Sequence, residues 1–191
     1  MNKHNNKIFI LAGESSGDYH GSRLMHYMKR SNSEIEFIGI GGDLMQSEGL
    51  ESLVSLRKIA VMGFWEVFKK IFFFLRLEKK ILNCIIQQQP AKVILIDYPG
   101  FNLKLAGHAK KLGIPVIFFS SPQVWVWRSG RINNIKRNVD LMIVLFPFET
   151  QIYEKSGVQV KWVGHPLLDE NPDAKEYLVN RNLDPDKFYY A

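Results

Sequence analysis

The sequence predicts a Rossmann-like, doubly wound α/β domain, in which helices cover both faces of a mostly parallel sheet. Three observations support this fold class. Short, nearly continuous apolar segments recur along the chain, as expected for strands that are buried on both faces. Segments with apolar residues at helical spacing alternate with them. The connections between the apolar segments are long enough for the crossovers that parallel strands require.

The composition is that of a globular domain with a sizeable core. The 191 residues are 46% hydrophobic and 13% aromatic, which excludes a disordered chain. The net charge of +6 favours an anionic partner, such as a phosphorylated metabolite, nucleic acid or an anionic membrane, without ranking these. The single cysteine, Cys84, lies in an apolar helical pattern that favours a buried, unreactive thiol. With no signal segment and no apolar run of about 18 residues, we expect a cytoplasmic protein that does not span a membrane.

The first strand is predicted at residues 8–11 and is followed by a Gly-Glu-Ser-Ser-Gly loop and a helix over residues 20–30. A loop of this kind presents backbone N–H groups at the positive end of a helix dipole, where anionic or hydroxyl-rich ligands bind. The presence of an acid, Glu14, in this loop indicates hydrogen bonding to sugar hydroxyls or proton transfer as readily as it indicates phosphate binding. The loop alone does not decide between these ligands.

A second strand is predicted at residues 36–40, and a glycine-rich turn closes it. This turn has the flexibility of a phosphate loop, but it lacks the full dinucleotide fingerprint and the lysine of a P-loop. We therefore favour a plain turn over a ligand contact. A short helix at residues 44–48 and a minor strand at residues 53–56 are predicted to follow.

Residues 60–80 are predicted to form a helix with more apolar surface than one core face needs. At 100° per residue, one narrow stripe has the spacing of a core face, while further apolar residues and five cations cover other sides. Aromatic bulk beside Lys and Arg is typical of a helix in a membrane interface. The alternative is a helix that is buried all round or lies in a dimer contact. The stripe consists of Val61, Phe64, Trp65, Phe68, Phe72 and Leu75, and the further apolar residues are Met62, Val67, Ile71, Phe73, Phe74 and Leu77.

A strongly apolar strand, predicted at residues 91–96, leads directly into Asp97. The carboxyl end of a buried parallel strand lies at the edge where open α/β sheets bind ligands. Asp97 is therefore the preferred catalytic candidate among the acids. The alternative is that Asp97 caps the next helix or stabilises its own loop. That helix is predicted at residues 103–112, and a strand at residues 115–119 follows it.

The segment after this strand carries Trp125, Trp127, Arg128 and Arg131. Arginine suits bidentate capture of phosphate, and tryptophan can cover a sugar face or an acyl chain. Alternatively, the two tryptophans close the rim of the core.

The remaining predicted elements continue the alternation of helix and strand. They are a short basic helix at residues 131–137, a strand at 141–145, a helix at 150–156 and a strand at 158–163. The composition changes after residue 166, so residues 1–166 are predicted as one Rossmann-like domain. Residues 167–191 are predicted to be a linker and the beginning of a second, truncated domain.

Six motifs follow one another along residues 8–168. They are AGESSGD at 12–18, AVMGFWEV at 60–67, IDYPGFN at 96–102, SPQVWVWR at 121–128, FPFE at 146–149 and VGHP at 163–166. In this order and spacing they resemble the motifs of the lipid-A-disaccharide synthase family. The resemblance implies the N-terminal half of a two-domain glycosyltransferase of the GT-B type.

The family joins a UDP-linked diacylglucosamine donor to a diacylglucosamine 1-phosphate acceptor, forming the β-1,6-linked disaccharide of lipid A. The resemblance implies that this chain is the acceptor-binding half and that it stops before the Gly-Ser-Arg-Gly loop expected near the donor phosphates. The 191 residues alone are therefore expected to be inactive. Gly100 stands where relatives often have a second acid, which favours Asp97 as the acid to examine, and Gln123 stands where they often have Ser.

The implied chemistry assigns roles to the candidate residues. Inverting transfer needs a base for the acceptor's 6-hydroxyl and stabilisation of the departing diphosphate. Asp97 is the first candidate for the base and Glu14 the second, with the other orienting sugar hydroxyls. Arg128 and Arg131 are assigned to the acceptor phosphate. Further candidates for substrate binding are Gly13, Ser15, Ser16, Asn102 and His165.

The resemblance also gives the helix at residues 60–80 a purpose, since both substrates carry acyl chains. Its apolar stripe, together with Met62, is assigned to the membrane or the acyl chains. We expect a peripheral protein on the inner face of the cytoplasmic membrane. No cofactor or metal is expected, because the acids are dispersed and no His or Cys ligand spacing appears. The acyl-chain preference and the formation of a homodimer stay open.

Two rival classes of function remain. The loop also satisfies the Gly-x-Ser-x-Gly elbow of α/β hydrolases, with Ser15 as nucleophile and Asp97 and His165 in the expected order. Against this, an elbow on the first strand leaves no upstream sequence for an oxyanion loop. A non-catalytic nucleic-acid-binding module would draw on the positive charge, but no recognised motif supports it, and no nucleic acid partner is expected.

Overall fold

The computed structural model describes residues 6–54, 67–120 and 130–164, with side chains inside helices α3 and α5 described from residues 72 and 132 onward. Within these residues, seven strands form one sheet in the order β3-β2-β1-β4-β5-β6-β7, and every neighbouring pair is parallel. The strands are β1 Lys7–Ala12, β2 Glu36–Ile40, β3 Leu50–Ser52, β4 Lys92–Ile96, β5 Val116–Phe119, β6 Leu141–Val144 and β7 Val160–Trp162. This confirms the predicted parallel α/β architecture.

Six helices are described between these strands. They are α1 Ser15–Ser31, α2 Asp43–Ser47, α3 Val67–Gln88, α4 Pro99–Lys111, α5 Gly130–Asn138 and α6 Pro147–Lys155. In the part of the chain that the structure describes, none of them is long and apolar enough to cross a bilayer.

Alternate strand residues point to opposite sides of the sheet, and helices cover both sides, so both faces are buried. On one face, Phe9, Leu95 and Phe118 pack with side chains of α3, α4 and α5. On the other, Ile10 and Ile94 pack with residues of α1 and α2. Helices on both faces of a parallel sheet make the fold doubly wound, as the sequence predicts.

The glycines at the end of β2 and in the turn after it are explained by packing. A Cβ on Gly39, whose φ is +153°, would lie 1.8 Å from the carbonyl oxygen of Ile10. A Cβ on Gly42 would lie 2.3 Å from a carboxylate oxygen of Asp18. That buried carboxylate accepts hydrogen bonds from the backbone N–H groups of Gly42 at 2.7 Å and Met45 at 3.0 Å, so it caps α2. These contacts agree with the plain turn that the sequence favours.

The structure moves several predicted boundaries. The minor strand lies at Leu50–Ser52, earlier than predicted, because Leu50 is the residue that is buried after the turn at Gly49. Helices α4 and α6 begin earlier than predicted, each with a proline in its first turn, where the missing N–H costs nothing. The predicted domain boundary at residue 166 lies outside the described residues.

The predicted core face of the helix at residues 60–80 is wrong where the structure describes it. Phe72 is 65% exposed and Leu75 is 52% exposed, whereas Leu77 is buried. The helix continues to Gln88, and its buried side chains Ile81 and Ile85 extend the side that carries Leu77. A pattern that stopped at residue 80 lacked these two residues, which determine the side that faces the sheet.

Candidate functional site

The candidate site lies where the strand order of the sheet reverses. Strands β1 and β4 are neighbours, although β2 and β3 separate them in the chain. Open α/β sheets bind ligands at the carboxyl ends of such a strand pair. Ala12 and Ile96, the last residues of the two strands, are in register. The loops that carry Glu14 and Asp97 therefore leave the sheet side by side, at what we call the carboxyl edge.

The ring of Tyr98 joins the two loops. It packs on Gly13 so closely that a Cβ there would lie 2.8 Å from the Tyr98 Cγ. Burial raises the pKa of the Tyr98 hydroxyl, and the negative charge of Glu14 raises it further. The Glu14 carboxylate thus acts electrostatically on Tyr98, the residue after Asp97, which agrees with the adjacency of the two loops.

Neither acid is engaged by the fold. Glu14 is the exposed N-cap residue of α1, but its side chain makes no capping hydrogen bond. The N-cap of α4 is Tyr98, and the partly buried Asp97 carboxylate makes no hydrogen bond or ion pair with any described residue. The alternative role of Asp97 as a helix cap therefore has no support. Both carboxylates are available to accept hydrogen bonds from a ligand.

The backbone around Asp97 is unusual. Asp97 and Tyr98 have φ values of +50° and +46°, in the left-handed region that side chains disfavour. The Asp97 N–H donates to the carbonyl of Phe119 at 3.1 Å, which ties this turn to the end of β5.

Asn102 lies beneath this turn. Its side chain is fully buried, and its Nδ2 donates to the carbonyl oxygens of Ile96 at 3.2 Å and Asp97 at 2.7 Å. In this structure Asn102 has no surface for a ligand, so its predicted contact with substrate has no geometric support here. Its observed contacts are with the loop.

Aromatic side chains connect the carboxyl edge to α3. The Tyr98 ring stacks on Phe74 with centroids 6.3 Å apart, and Phe74 lies 5.8 Å from the ring of Phe101. The opposite end of α3 lies at the amino edge of the sheet, where the Lys7 ammonium donates to Gln88 at 2.7 Å. The amino-terminal end of α3 is therefore the end near Glu14 and Asp97.

That end of α3 carries the exposed apolar residues Phe72 and Leu75, followed by the exposed cations Arg76 and Lys79. We call these four residues the α3 patch. An aromatic ring and an aliphatic side chain beside cations on an exposed helix face are the pattern expected at a membrane interface. The patch includes two of the seven residues predicted to contact lipid.

The other predicted site residues are only partly described. Ser15 and Ser16 are exposed in the first turn of α1, beside Glu14. The side chains of Phe68 and Arg131 are not among those described, although both residues lie in helices. The predicted residues outside the described ranges are Val61, Met62, Phe64, Trp65, Arg128 and His165. Their roles stay predictions.

The sequence did not single out Tyr98 as a site residue. The sequence feature that could have indicated Tyr98 is its position between Asp97 and a proline in one motif. Its contact with Gly13, however, depends on strand pairing that the sequence does not show. Within the described ranges, no group of three or more His, Cys, Asp or Glu side chains is placed to hold a metal ion. Independence from metal stays a prediction.

An acid at the amino edge offers a contrast. Burial raises the pKa of Asp140, but hydrogen bonds from Lys110 and from the Val116 N–H outweigh this effect, so the pKa lies below its ordinary value. The Val116 hydrogen bond is 2.8 Å long. Asp140 is thus held by the fold at the edge opposite the candidate site, and it serves as a matched control.

The fold and the location of the site define a Rossmann-like, doubly wound α/β domain with its candidate site at the carboxyl edge. Among solved structures, the chain is similar to the UDP-GlcNAc 2-epimerase from Neisseria meningitidis bound to UDP-GlcNAc, with a TM-score of 0.56. The match covers 92% of this chain and 51% of that chain at 8% sequence identity. At so low an identity, the likeness shows the fold alone.

The family model described as lipid-A-disaccharide synthetase matches residues 8–188, so the chain belongs to that family. The lipid-A-disaccharide synthase of Geobacter metallireducens is 42% identical over 96% of this chain and 48% of the relative. Those of Idiomarina loihiensis and Coxiella burnetii are 42% and 40% identical, over 97% and 96% of this chain and 50% of each relative. The chain spans about half the length of the curated relatives it matches. None of these matches supports the hydrolase alternative.

Proposed function

We propose that this chain is the acceptor-binding half of a lipid-A-disaccharide synthase. In the complete reaction, diacylglucosamine passes from its UDP derivative to the 6-hydroxyl of diacylglucosamine 1-phosphate. The observation that carries the proposal is a pair of unengaged carboxylates, Glu14 and Asp97, on the adjacent loops that follow β1 and β4 where the strand order reverses. Membership of the family supports it.

Asp97 acts as the general base. It removes the proton of the acceptor's 6-hydroxyl as that oxygen forms a bond to the anomeric carbon of the donor and the bond from this carbon to the UDP oxygen breaks. The attack from the face opposite UDP inverts the anomeric centre, and the proton leaves Asp97 to solvent afterwards. A carboxylate without an internal partner suits this role, because no ion pair must be broken before it accepts the proton.

Glu14 and the first turn of α1 hold the sugar. Glu14 accepts hydrogen bonds from acceptor hydroxyls, and the exposed Ser15 and Ser16 offer hydroxyl and backbone N–H groups at the positive end of α1. Arg128 and Arg131 bind the acceptor phosphate. The departing UDP is stabilised by residues in the half of the relatives' sequence that this chain does not span.

The α3 patch brings the protein to its lipid substrates. Phe72 and Leu75 enter the headgroup boundary of an anionic membrane, and Arg76 and Lys79 lie at the level of the phosphates. Because this end of α3 is at the carboxyl edge, acyl chains that remain near the membrane leave the sugar within reach of Asp97. The protein is thus peripheral on the inner face of the cytoplasmic membrane.

The location of the site is tested by titrating the chain with a water-soluble, short-chain analogue of the acceptor while backbone amide resonances are followed. We expect saturable shifts at Gly13, Ser15, Ser16 and Asp97, and none at Asp140. Shifts confined to the amino edge, or none at concentrations that saturate a relative, would contradict the proposal.

A further inference from the structure

The turn that carries Asp97 is held in a conformation that its residues disfavour. Asp97 and Tyr98 are consecutive, and both have left-handed φ values without being glycine. Such backbone persists only where the surrounding structure stabilises it, and it concentrates at functional sites. Something in the fold must therefore hold this turn.

The side-chain amide of Asn102 is placed to do so. The two carbonyls that it binds, those of Ile96 and Asp97, flank the Cα of Asp97. One NH2 group that engages both carbonyls restricts the rotation of the peptide units on either side of that Cα. It thereby fixes the direction of the bond from Cα to Cβ. The Asn102 N–H also donates to the Tyr98 carbonyl at 3.1 Å, which makes α4 continuous with the turn.

The side-chain oxygen of Asn102 indicates that these two hydrogen bonds are the reason why residue 102 is an asparagine. The Asn102 Oδ1 is buried and has no hydrogen-bond partner among the residues that the structure describes. A buried oxygen without a partner is unfavourable, and a leucine of similar size would avoid it. Since both neighbours are carbonyl oxygens, the NH2 group is the half that must face them.

We propose that Asn102 is a positioning residue that fixes, through these two carbonyls, the direction in which Asp97 presents its carboxylate. The proposal rests on the proposed role of Asp97 as the general base. Asn102 itself does not touch the acceptor.

Two variants test this, in an active form of the protein that includes the family's second half. Asn102→Leu keeps the volume but has no donor, and Asn102→Asp keeps the shape but turns an oxygen toward the two carbonyls. Because small misplacement of a catalytic group lowers the rate steeply, we expect kcat to fall about 10- to 100-fold in both variants. The KM for the acceptor should change less than about threefold, since the groups that bind it are intact.

A double-mutant cycle separates positioning from packing. Tyr98→Gly makes the left-handed turn easier to adopt, so Asn102→Leu should lower kcat less in a Tyr98→Gly background than in the wild-type background. Equal losses in the two backgrounds would overturn the proposal, as would a lowered melting temperature with an unchanged kcat. If Asn102→Leu does not fold, the isosteric Asn102→Asp variant gives the same comparison.

Asp97→Asn is the reference that keeps the two proposals apart. If Asp97→Asn is inactive while both Asn102 variants retain wild-type kcat, only the positioning role fails. If Asp97→Asn retains activity, the assignment of the base fails and the positioning role fails with it.

Discussion

The contribution of the α3 patch to membrane affinity can be estimated from the structure. We expect the double variant Phe72→Ser and Leu75→Ser to bind anionic vesicles far more weakly than the wild-type chain. Both side chains are more than half exposed and therefore contribute little to the core. The loss should thus appear in membrane binding and leave the thermal stability nearly unchanged.

The size of the effect follows from the exposed fractions. Complete burial of a Phe or Leu side chain is worth about 1.5–3 kcal/mol. With 65% of Phe72 and 52% of Leu75 still exposed, full immersion would contribute about 1–2 kcal/mol and about 0.8–1.5 kcal/mol, respectively. The two together correspond to a loss of about 20- to 300-fold in affinity. Partial immersion gives the lower part of this range.

The assay is sedimentation of the chain with vesicles of phosphatidylethanolamine and phosphatidylglycerol. Ile86 provides a matched control, because it is 53% exposed on nearly the same side of α3 as Leu75. It lies about 16 Å farther along the helix, toward the amino edge. We therefore expect Leu75→Ser to weaken binding and Ile86→Ser to leave it unchanged.

Two outcomes would refute this reasoning. Unchanged sedimentation of the double variant would show that the patch does not enter the membrane. Equal losses for Leu75→Ser and Ile86→Ser would show that the whole helix lies on the membrane, so that its amino-terminal end is not specifically the contact. Added salt should weaken wild-type binding, because the cations of the patch contribute through screened attraction to anionic lipid.

Three further predictions concern the two edges of the sheet. Gly13→Ala should lower the free energy of unfolding in urea by about 1–3 kcal/mol, because its Cβ would overlap the Tyr98 ring. The same substitution should cost less in a Tyr98→Gly background. Equal costs in the two backgrounds would contradict the contact between Gly13 and Tyr98. Glu14→Gln should lower the pKa of Tyr98, because the negative charge of Glu14 is one of the two causes that raise it. The pKa is measured by following the tyrosine carbon resonances with pH. An unchanged pKa would show that Glu14 does not lie near Tyr98. The Asp140 carboxyl has a lowered pKa in the folded state. Its contribution to stability is therefore present above its ordinary pKa near 4 and is lost as the pH falls through its folded pKa. Asp140→Asn should flatten the pH dependence of the unfolding free energy between these two pKa values, and an unaltered slope would contradict the lowered pKa.

The strands and their direction could be predicted from the sequence because buried parallel strands are continuous apolar runs. The runs that contain Phe9, Ile94 and Phe118 all became central strands. Their order could not be predicted, since any of several arrangements buries the same residues. The adjacency of Glu14 and Asp97 depends on that order, which places β4 beside β1.

The details of the site depend on contacts between residues distant in the chain. The side of α3 that faces the sheet is determined by Ile81 and Ile85, beyond the predicted end of the helix. The burial of Asn102 and the packing of Tyr98 on Gly13 accompany a left-handed turn at Asp97 and Tyr98. The sequence does not show this turn, because neither of its two residues is a glycine. The acids themselves were recognisable from their positions, since Asp97 directly follows β4 and Glu14 lies in the loop just after β1.

The proposed function depends above all on Asp97, which we propose removes the acceptor's proton at the carboxyl edge. The most direct test compares the kcat of Asp97→Asn with that of Asp140→Asn in an active form of the protein that includes the family's second half. Removal of a general base should lower kcat by at least about 100-fold, while Asp140→Asn at the opposite edge should stay within about twofold of wild type. An Asp97→Asn protein that keeps more than about a tenth of the wild-type kcat would contradict the account.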